Sequence, residues 1–265
     1  MAEVNSSEKL TEDRINFSVH LLPHSNQPPK PAMVPEADDV FHLAFPAMSA
    51  ILCTTQTKES SHVEDVQWNS DMTIKMRYGN TNTFLIPCNS GYLLVDTDYA
   101  GTLSAFYKAL KTVGVQVKDI TYVLATHYHP DHMGLIPELM NQGIKLLLID
   151  TQTNDVHYSD PIFAREKSLR FVPIDESKAE VVSCRESRAF LANIGIAGEI
   201  ISTSSHSRDS VSLVLDDGDC LVGDLEPMEY LLAYDDNPAL KADWDAILSF
   251  CPKRILHSHA NVETL

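Results

Sequence analysis

The chain has 265 residues, with 20 Lys+Arg against 37 Asp+Glu for a formal net charge of −17, and is 44% hydrophobic and 22% charged. That composition supports a folded core and excludes disorder along the whole chain, while the length allows one large domain or a domain with an extension. The charge argues against nucleic-acid binding, which draws most of its affinity from Lys and Arg neutralising phosphates, and no Lys/Arg-rich run offsets it.

Residues 1–70 read as an N-terminal extension. Six of the fourteen prolines fall between Pro23 and Pro46, among Ser, Asn and acidic residues. The apolar patch at residues 41–53 is too hydrophobic for a solvated linker and is expected to pack on the main domain or on a second subunit, which would make a homo-oligomer. A disordered tail is the competing reading. Glu3, Glu8, Glu12 and Asp13 stand where a secretory signal needs a basic start and an apolar run. The patch itself is interrupted by Pro46 and too short to span a bilayer, so no membrane anchor is expected. Cys53, Cys88, Cys184, Cys220 and Cys251 are odd in number and never in a C-x-x-C spacing. Neither a disulfide scaffold nor a thiolate zinc ribbon is expected, and a cytoplasmic location is.

From residue 71 onward strand and helix patterns alternate, which predicts an α/β fold for residues 71–265. Strands are predicted at 73–78, 83–87 and 91–96, the last an apolar run ending on Asp96. Leu103, Phe106, Leu110 and Val113 recur at spacings of three and four, one face of a helix that Gly114 stops. A buried strand at 120–126, a helix at 135–141, a strand at 145–149, a helix at 186–194 and a strand at 199–202 follow, read as β-α-β units. Two strands flanking Asp216-Asp217-Gly218 read as a hairpin with a tight turn. A helix at 242–250 and a strand at 254–256 complete the order.

The chemistry concentrates in His127-Tyr-His129-Pro-Asp131-His132, directly after an apolar strand. Imidazoles two apart in an extended segment project to one side, and Asp131 and His132 fall where the chain turns into the next helix. Imidazole and carboxylate donors suit zinc, with manganese or iron as alternatives, and the lack of paired cysteines argues for an open, catalytic site over a closed structural one. His206, Asp224 and His259 each follow a strand-like run, where an α/β sheet gathers its active site.

In these residues the chain resembles the metallo-β-lactamase fold superfamily, from about Tyr78 to Ala260. The H-x-H-x-D-H motif is intact at His127 to His132, and Asp96 matches the family's early strand-end aspartate. The P-G-H-S/T motif keeps its histidine as His206 after Ser204-Ser205, the Gly-Asp motif is Gly223-Asp224, and the last motif is His257-Ser-His259-Ala260, with His257 in the usual Pro position. The resemblance implies a four-layer αβ/βα sandwich with helices outside two mixed sheets. It implies one metal held by His127, His129 and His206, and another by Asp131, His132 and His259. Asp224 would bridge them, Asp131 and Asp224 would be the catalytic carboxylates, and Asp96 would support the site.

The activity implied is that of a dinuclear metal-dependent hydrolase, with a bridging hydroxide attacking a small-molecule ester, thioester, lactone or amide. The bridging aspartate favours glyoxalase II- and lactonase-like members over true β-lactamases. A phosphodiesterase and a non-catalytic metal-binding sensor are the alternatives. A flavodiiron reading is set aside, because it needs a carboxylate where His129 stands. The loop at 150–182, with His157, Tyr158, Phe163 and Arg165, occupies the place of a substrate cover. Arg165, Lys167 and Arg170 are candidates for holding an anionic group, and Tyr128, Tyr158 or Tyr230 for donating a hydrogen bond. Since few residues follow His259, the N-terminal extension is expected to close off the domain.

Overall fold

The computed structural model describes residues 73–169, 171–233 and 237–265. The expected extension at 1–70 and Arg170 lie outside the described residues. A first sheet takes six strands in the order β1 (Ile74–Tyr78), β2 (Thr81–Cys88), β3 (Gly91–Val95), β4 (Ile120–Leu124), β5 (Lys145–Ile149) and β6 (Glu180–Val182). Its first pairs, β1 with β2 and β2 with β3, are antiparallel, and the rest are parallel. A second sheet runs β11 (Glu263–Thr264), β10 (Arg254–His257), β9 (Asp219–Gly223), β8 (Val211–Leu215) and β7 (Gly198–Ser202), with only β9 and β10 parallel.

Side-chain alternation explains the layers. Leu93 and Val95, Tyr122 and Leu124, and Leu147 and Ile149 face inward to meet Leu213, Leu221 and Leu256 of the second sheet in one buried cluster. The intervening Leu94, Val123, Leu146 and Leu148 face outward, where α1 (Leu103–Thr112) and α3 (Ile136–Met140) cover them through Phe106, Leu110, Ile136 and Leu139. On the far side Cys220, Val222 and Ile255 meet Trp244 and Ile247 of α7 (Pro238–Leu248). These strands are continuous apolar runs because both faces are buried. The result is the expected αβ/βα sandwich.

Two local readings need correction. The strand at 199–202 is β7, which lies in the second sheet, so α5 (Cys184–Asn193) joins the two sheets and does not complete a β-α-β unit. The strand paired after β5 is instead β6, whose Glu180-Val-Val carries too short an apolar run to signal itself. The last helix starts at Pro238, where Asn237 accepts from the Leu240 N–H and Pro sits in the first turn. No described helix is long and apolar enough to cross a membrane. Cys88, Cys184 and Cys220 are free thiols while Cys251 is disulfide-bonded, so the cysteines do not argue for a single compartment.

Candidate metal centre

Every candidate ligand lies just beyond the C-terminal end of a strand. The His127 loop follows β4, His206 follows β7, Asp224 follows β9 and His259 follows β10. These strands deliver their ends to one edge of the sandwich, where the two sheets are joined by a hydrogen bond from the Val211 N–H to the Thr126 carbonyl, 2.9 Å. Within the motif, Tyr128 points into the core and is fully buried, so its neighbours His127 and His129 turn to the opposite side. Pro130 then opens a short helix, α2 (Pro130–Met133), with its preset φ at the first helical position. Gly134 lets this loop lie against residues 98–100. A Cβ there would fall 2.2 Å from the Ala100 nitrogen.

The side chains form three overlapping groups: His127, His129 and His206; His127, His132 and Asp224; and Asp131, His132 and His259. Within each group the donor atoms lie within 4.8 Å of one another. His127 Nε2 is 3.0 Å from His129 Nδ1, which is 3.2 Å from His206 Nε2. His259 Nε2 is 3.2 Å from Asp131 Oδ2. Asp224 stands between the sets, with Oδ2 3.2 Å from His132 Nε2 and Oδ1 3.3 Å from His259 Nε2. His257 is in none of these groups, and its Nε2 instead faces Glu263 at 3.9 Å.

Hydrogen bonds behind the imidazoles fix their tautomers. The buried Asp96 carboxylate accepts from His132 Nδ1 (3.0 Å), Thr126 N (2.6 Å), Thr126 Oγ1 (2.9 Å) and Ser258 Oγ (2.8 Å). Asp96 holds a left-handed backbone, φ 61°, a conformation that costs a non-glycine residue about 1–3 kcal/mol and that aspartate tolerates better than most. Because the Thr126 hydroxyl donates to Asp96, its lone pair faces His127 Nδ1 at 3.2 Å and holds the proton there. His259 Nδ1 donates to the Asn80 carbonyl, which can only accept, at 3.1 Å. His127, His132 and His259 therefore all keep a proton on Nδ1 and turn Nε2, the nitrogen a cation would take, toward the same space.

That arrangement fits cations. With both Nδ1 protons committed, His132 Nε2 and His259 Nε2 face each other as lone pairs at 3.3 Å, which is repulsive unless a proton or metal lies between them. Asp224 Oδ1 is buried and has no hydrogen-bond partner among the described residues. Electrostatics divide the set. Burial, together with the neighbouring His132, His206, His129 and His259, holds His127 well below the usual imidazole range. Burial lowers His206 as well. For His132 burial opposes charge, but Asp96 and Asp224 outweigh it and hold the ring up at about 10. The His259 hydrogen bond draws Asp131 down to about 2, and Asp224, against its burial, is lowered by His132.

Several supports carry no motif. Gln152, fully buried, donates through Nε2 to the carbonyls of Ala125, Thr126 and Asp209, and Asp209 in turn accepts from the Tyr128 N–H at 2.7 Å. Asp243 on α7 accepts from the Ser205 N–H at 2.7 Å, beside His206. Tyr158 lies at the site, its ring centroid 5.3 Å from that of His129 and 55% exposed. Tyr128 does not, since its hydroxyl is buried without a hydrogen-bond partner among the described residues. Tyr230 sits on α6 (Tyr230–Ala233), and Arg165 and Lys167 are exposed on the 150–182 segment. None of these three is in a ligand group.

The chain is 25% identical over 188 residues to the beta-lactamase-like protein 2 homolog of Drosophila melanogaster, a match covering 71% of this chain and 61% of that one. It thus spans about three-fifths of that relative's length. Among solved structures it resembles the BLEG-1 B3 metallo-beta-lactamase (TM-score 0.53, 22% identity, 73% of this chain and 94% of the other). It also resembles the metallo-beta-lactamase MIM-1 of Novosphingobium pentaromativorans (TM-score 0.51, 18% identity, 70% and 76%). At these identities the likeness is one of fold. Residues 76–249 match the family model of the metallo-beta-lactamase superfamily, a stretch that ends before His259, and the chain belongs to that superfamily.

Proposed function

We propose that this protein is a dinuclear metal-dependent hydrolase acting on a small-molecule ester, thioester, lactone or amide. The observation that carries the reading is Asp224, whose two oxygens face different histidines while one of them lacks any hydrogen-bond partner among the described residues. A carboxylate so placed suits a bridge between a cation at His127, His129 and His206 and another at Asp131, His132 and His259. Nitrogen and oxygen donors without thiolate suit zinc, with manganese or iron as alternatives. Two such ions supply activated water at neutral pH and a Lewis-acid pole for the substrate's carbonyl oxygen.

The chain's own residues do the rest. Asp131 and Asp224, both held below the usual carboxylate range, stay ionised at neutral pH and contribute charge in place of a labile proton. Asp96, Thr126 and the Asn80 carbonyl keep protons on the far nitrogens of His132, His127 and His259, so the near nitrogens remain donors to a cation. Tyr158 presents an exposed ring beside His129, where it can wall a substrate and offer its hydroxyl to a leaving oxygen. The test is metal content of the purified full-length chain by elemental analysis, with rates on an ester, a thioester, a lactone, bis(p-nitrophenyl) phosphate and RNA. About two metal ions per chain and fastest turnover of a carbonyl substrate are expected. Dominant phosphodiester cleavage would replace the substrate class, and full metal loading with no turnover would favour a metal-binding sensor.

A further inference from the structure

The two proposed cation positions differ in how they are held. His127 and His132 are buried, but His259 and Asp131 have side chains 36% and 38% exposed, so something must aim them. The turn between β1 and β2 reaches both. The Asn80 carbonyl accepts from His259 Nδ1, and Thr81 Oγ1 donates to the Asp131 carbonyl at 2.8 Å. Asn82 clamps the His259 loop from both sides: its N–H donates to the Ser258 carbonyl (2.7 Å), and its Nδ2 donates to the carbonyls of His257 (2.9 Å) and Ala260 (2.8 Å). Thr81 and Asn82 are fully buried on β2, which lies between the edge strand β1 and β3.

Asp98 fixes the turn itself. Its Oδ2 accepts from the Asn80 N–H at 2.9 Å, its Oδ1 from the Tyr99 N–H at 2.6 Å, and its own N–H donates to the Tyr78 hydroxyl at 2.9 Å. Gly79 has φ +66°, and a Cβ there would lie 1.9 Å from Asp98 Oδ2, so glycine is what lets the carboxylate close over the turn. Asp98 is in none of the ligand groups.

We infer that Asp98 and residues 79–82 form the positioning element of the Asp131–His132–His259 cation position, aiming His259 through the Asn80 peptide and steadying Asp131 through Thr81. The inference rests on the two-cation reading above and goes beyond it by making the occupancy of one position separately tunable. Removal of this support weakens the second cation and leaves the first nearly as it was.

The test is calorimetric titration of the chelator-stripped full-length chain with Zn²⁺, with Co²⁺ absorption as a ligand-field readout, for wild type, Asp98→Asn, Thr81→Val and Thr81→Ser. In Asp98→Asn and Thr81→Val the weaker equivalent is expected to lose about tenfold or more in affinity, the range typical when the partner behind a metal ligand is removed, and the tighter one less than about twofold. Thr81→Ser, which keeps the hydroxyl, is expected to behave as wild type. The Thr81 pair carries the test if Asp98→Asn does not fold. Equal weakening of both equivalents, no weakening, or loss in Thr81→Ser equal to that in Thr81→Val would overturn the inference. A wild type that takes up only one equivalent would overturn the two-cation reading along with it, whereas two equivalents in wild type with unaffected variants would sink this inference alone.

Discussion

Replacing Asp96 by Asn separates the carboxylate's charge from its shape. Asn tolerates the left-handed backbone that Asp96 adopts at φ 61°, so the substitution adds no backbone strain of the kind an Ala would bring. One oxygen remains to accept from the Thr126 N–H. At the other position an amide NH₂ now meets three donors: Thr126 Oγ1, Ser258 Oγ and His132 Nδ1. The two hydroxyls can rotate and accept. The imidazole can accept only by giving up its Nδ1 proton and keeping the one on Nε2, the atom that faces Asp224. The perturbation should therefore cost about 3 kcal/mol of folding stability, the low end for breaking a buried charged pair, with a melting temperature lower by roughly 6–12 °C. Zinc affinity should also fall by about 10–100-fold, because the tautomer that survives has its proton where the metal must bind. Thermal denaturation of the metal-free chain and a zinc titration measure the two effects separately. A lower melting temperature with unchanged zinc affinity would refute the tautomer argument and leave Asp96 a purely structural residue.

Other consequences are simpler. Gly134→Ala should destabilise the chain by about 3 kcal/mol or more, read as a lower denaturant midpoint, because the new Cβ meets backbone at Ala100 and neither loop can yield without moving the His127 segment. Asp243→Ala frees the Ser205 N–H beside His206, so zinc binding should weaken at the position containing His206 and hold at the one containing His259, the reverse of the pattern expected for Asp98→Asn. Stripping metal with a chelator should lower the melting temperature, since a cation present at a thousand times its Kd contributes about 4 kcal/mol, and an unchanged melting curve would contradict cation binding to the folded chain. Tyr158→Ala should both raise KM, because the ring flanks the centre beside His129 without belonging to a ligand group, and lower kcat, because it removes the hydroxyl offered to the leaving oxygen, on whichever substrate turns over.

How much of this could be read from residues alone depends on where the information resides. Strands buried on both faces announce themselves, because runs such as Leu146 to Ile149 leave no room for a polar residue. The histidines and Asp131 of the motif are legible for the related reason that several costly polar side chains directly after such a strand need a shared purpose. What cannot be read is the assignment of strands to sheets. Nothing between β5 and β7 says that α5 crosses from one sheet to the other, and β6 is too short and too polar at Glu180 to stand out. The doublet His257 and His259 is of the same kind. Alternation along an extended chain would place both on one side, yet β10 ends at His257, which turns toward Glu263 while His259 reaches the site.

The supports behind the ligands are hidden more deeply, since their work is done by groups that every sequence contains. The atom that fixes His259 is a backbone carbonyl, and the atoms that hold its loop are the amide groups of an asparagine that reads as an ordinary strand residue. Asp98 and Gly79 are 19 positions apart and become a pair only when β1 folds back beside the loop after β3. A metal centre of this type is thus specified at two levels. The donors are chemically rare and cluster visibly in the chain, whereas their orientation depends on common groups whose value exists only in the fold. On the two-cation proposal, substitutions at residues 79–82 and 98 would change how many cations are held while every donor of the recognisable motif stays intact, and a chain with all seven donors could still bind one ion where this one is proposed to bind two.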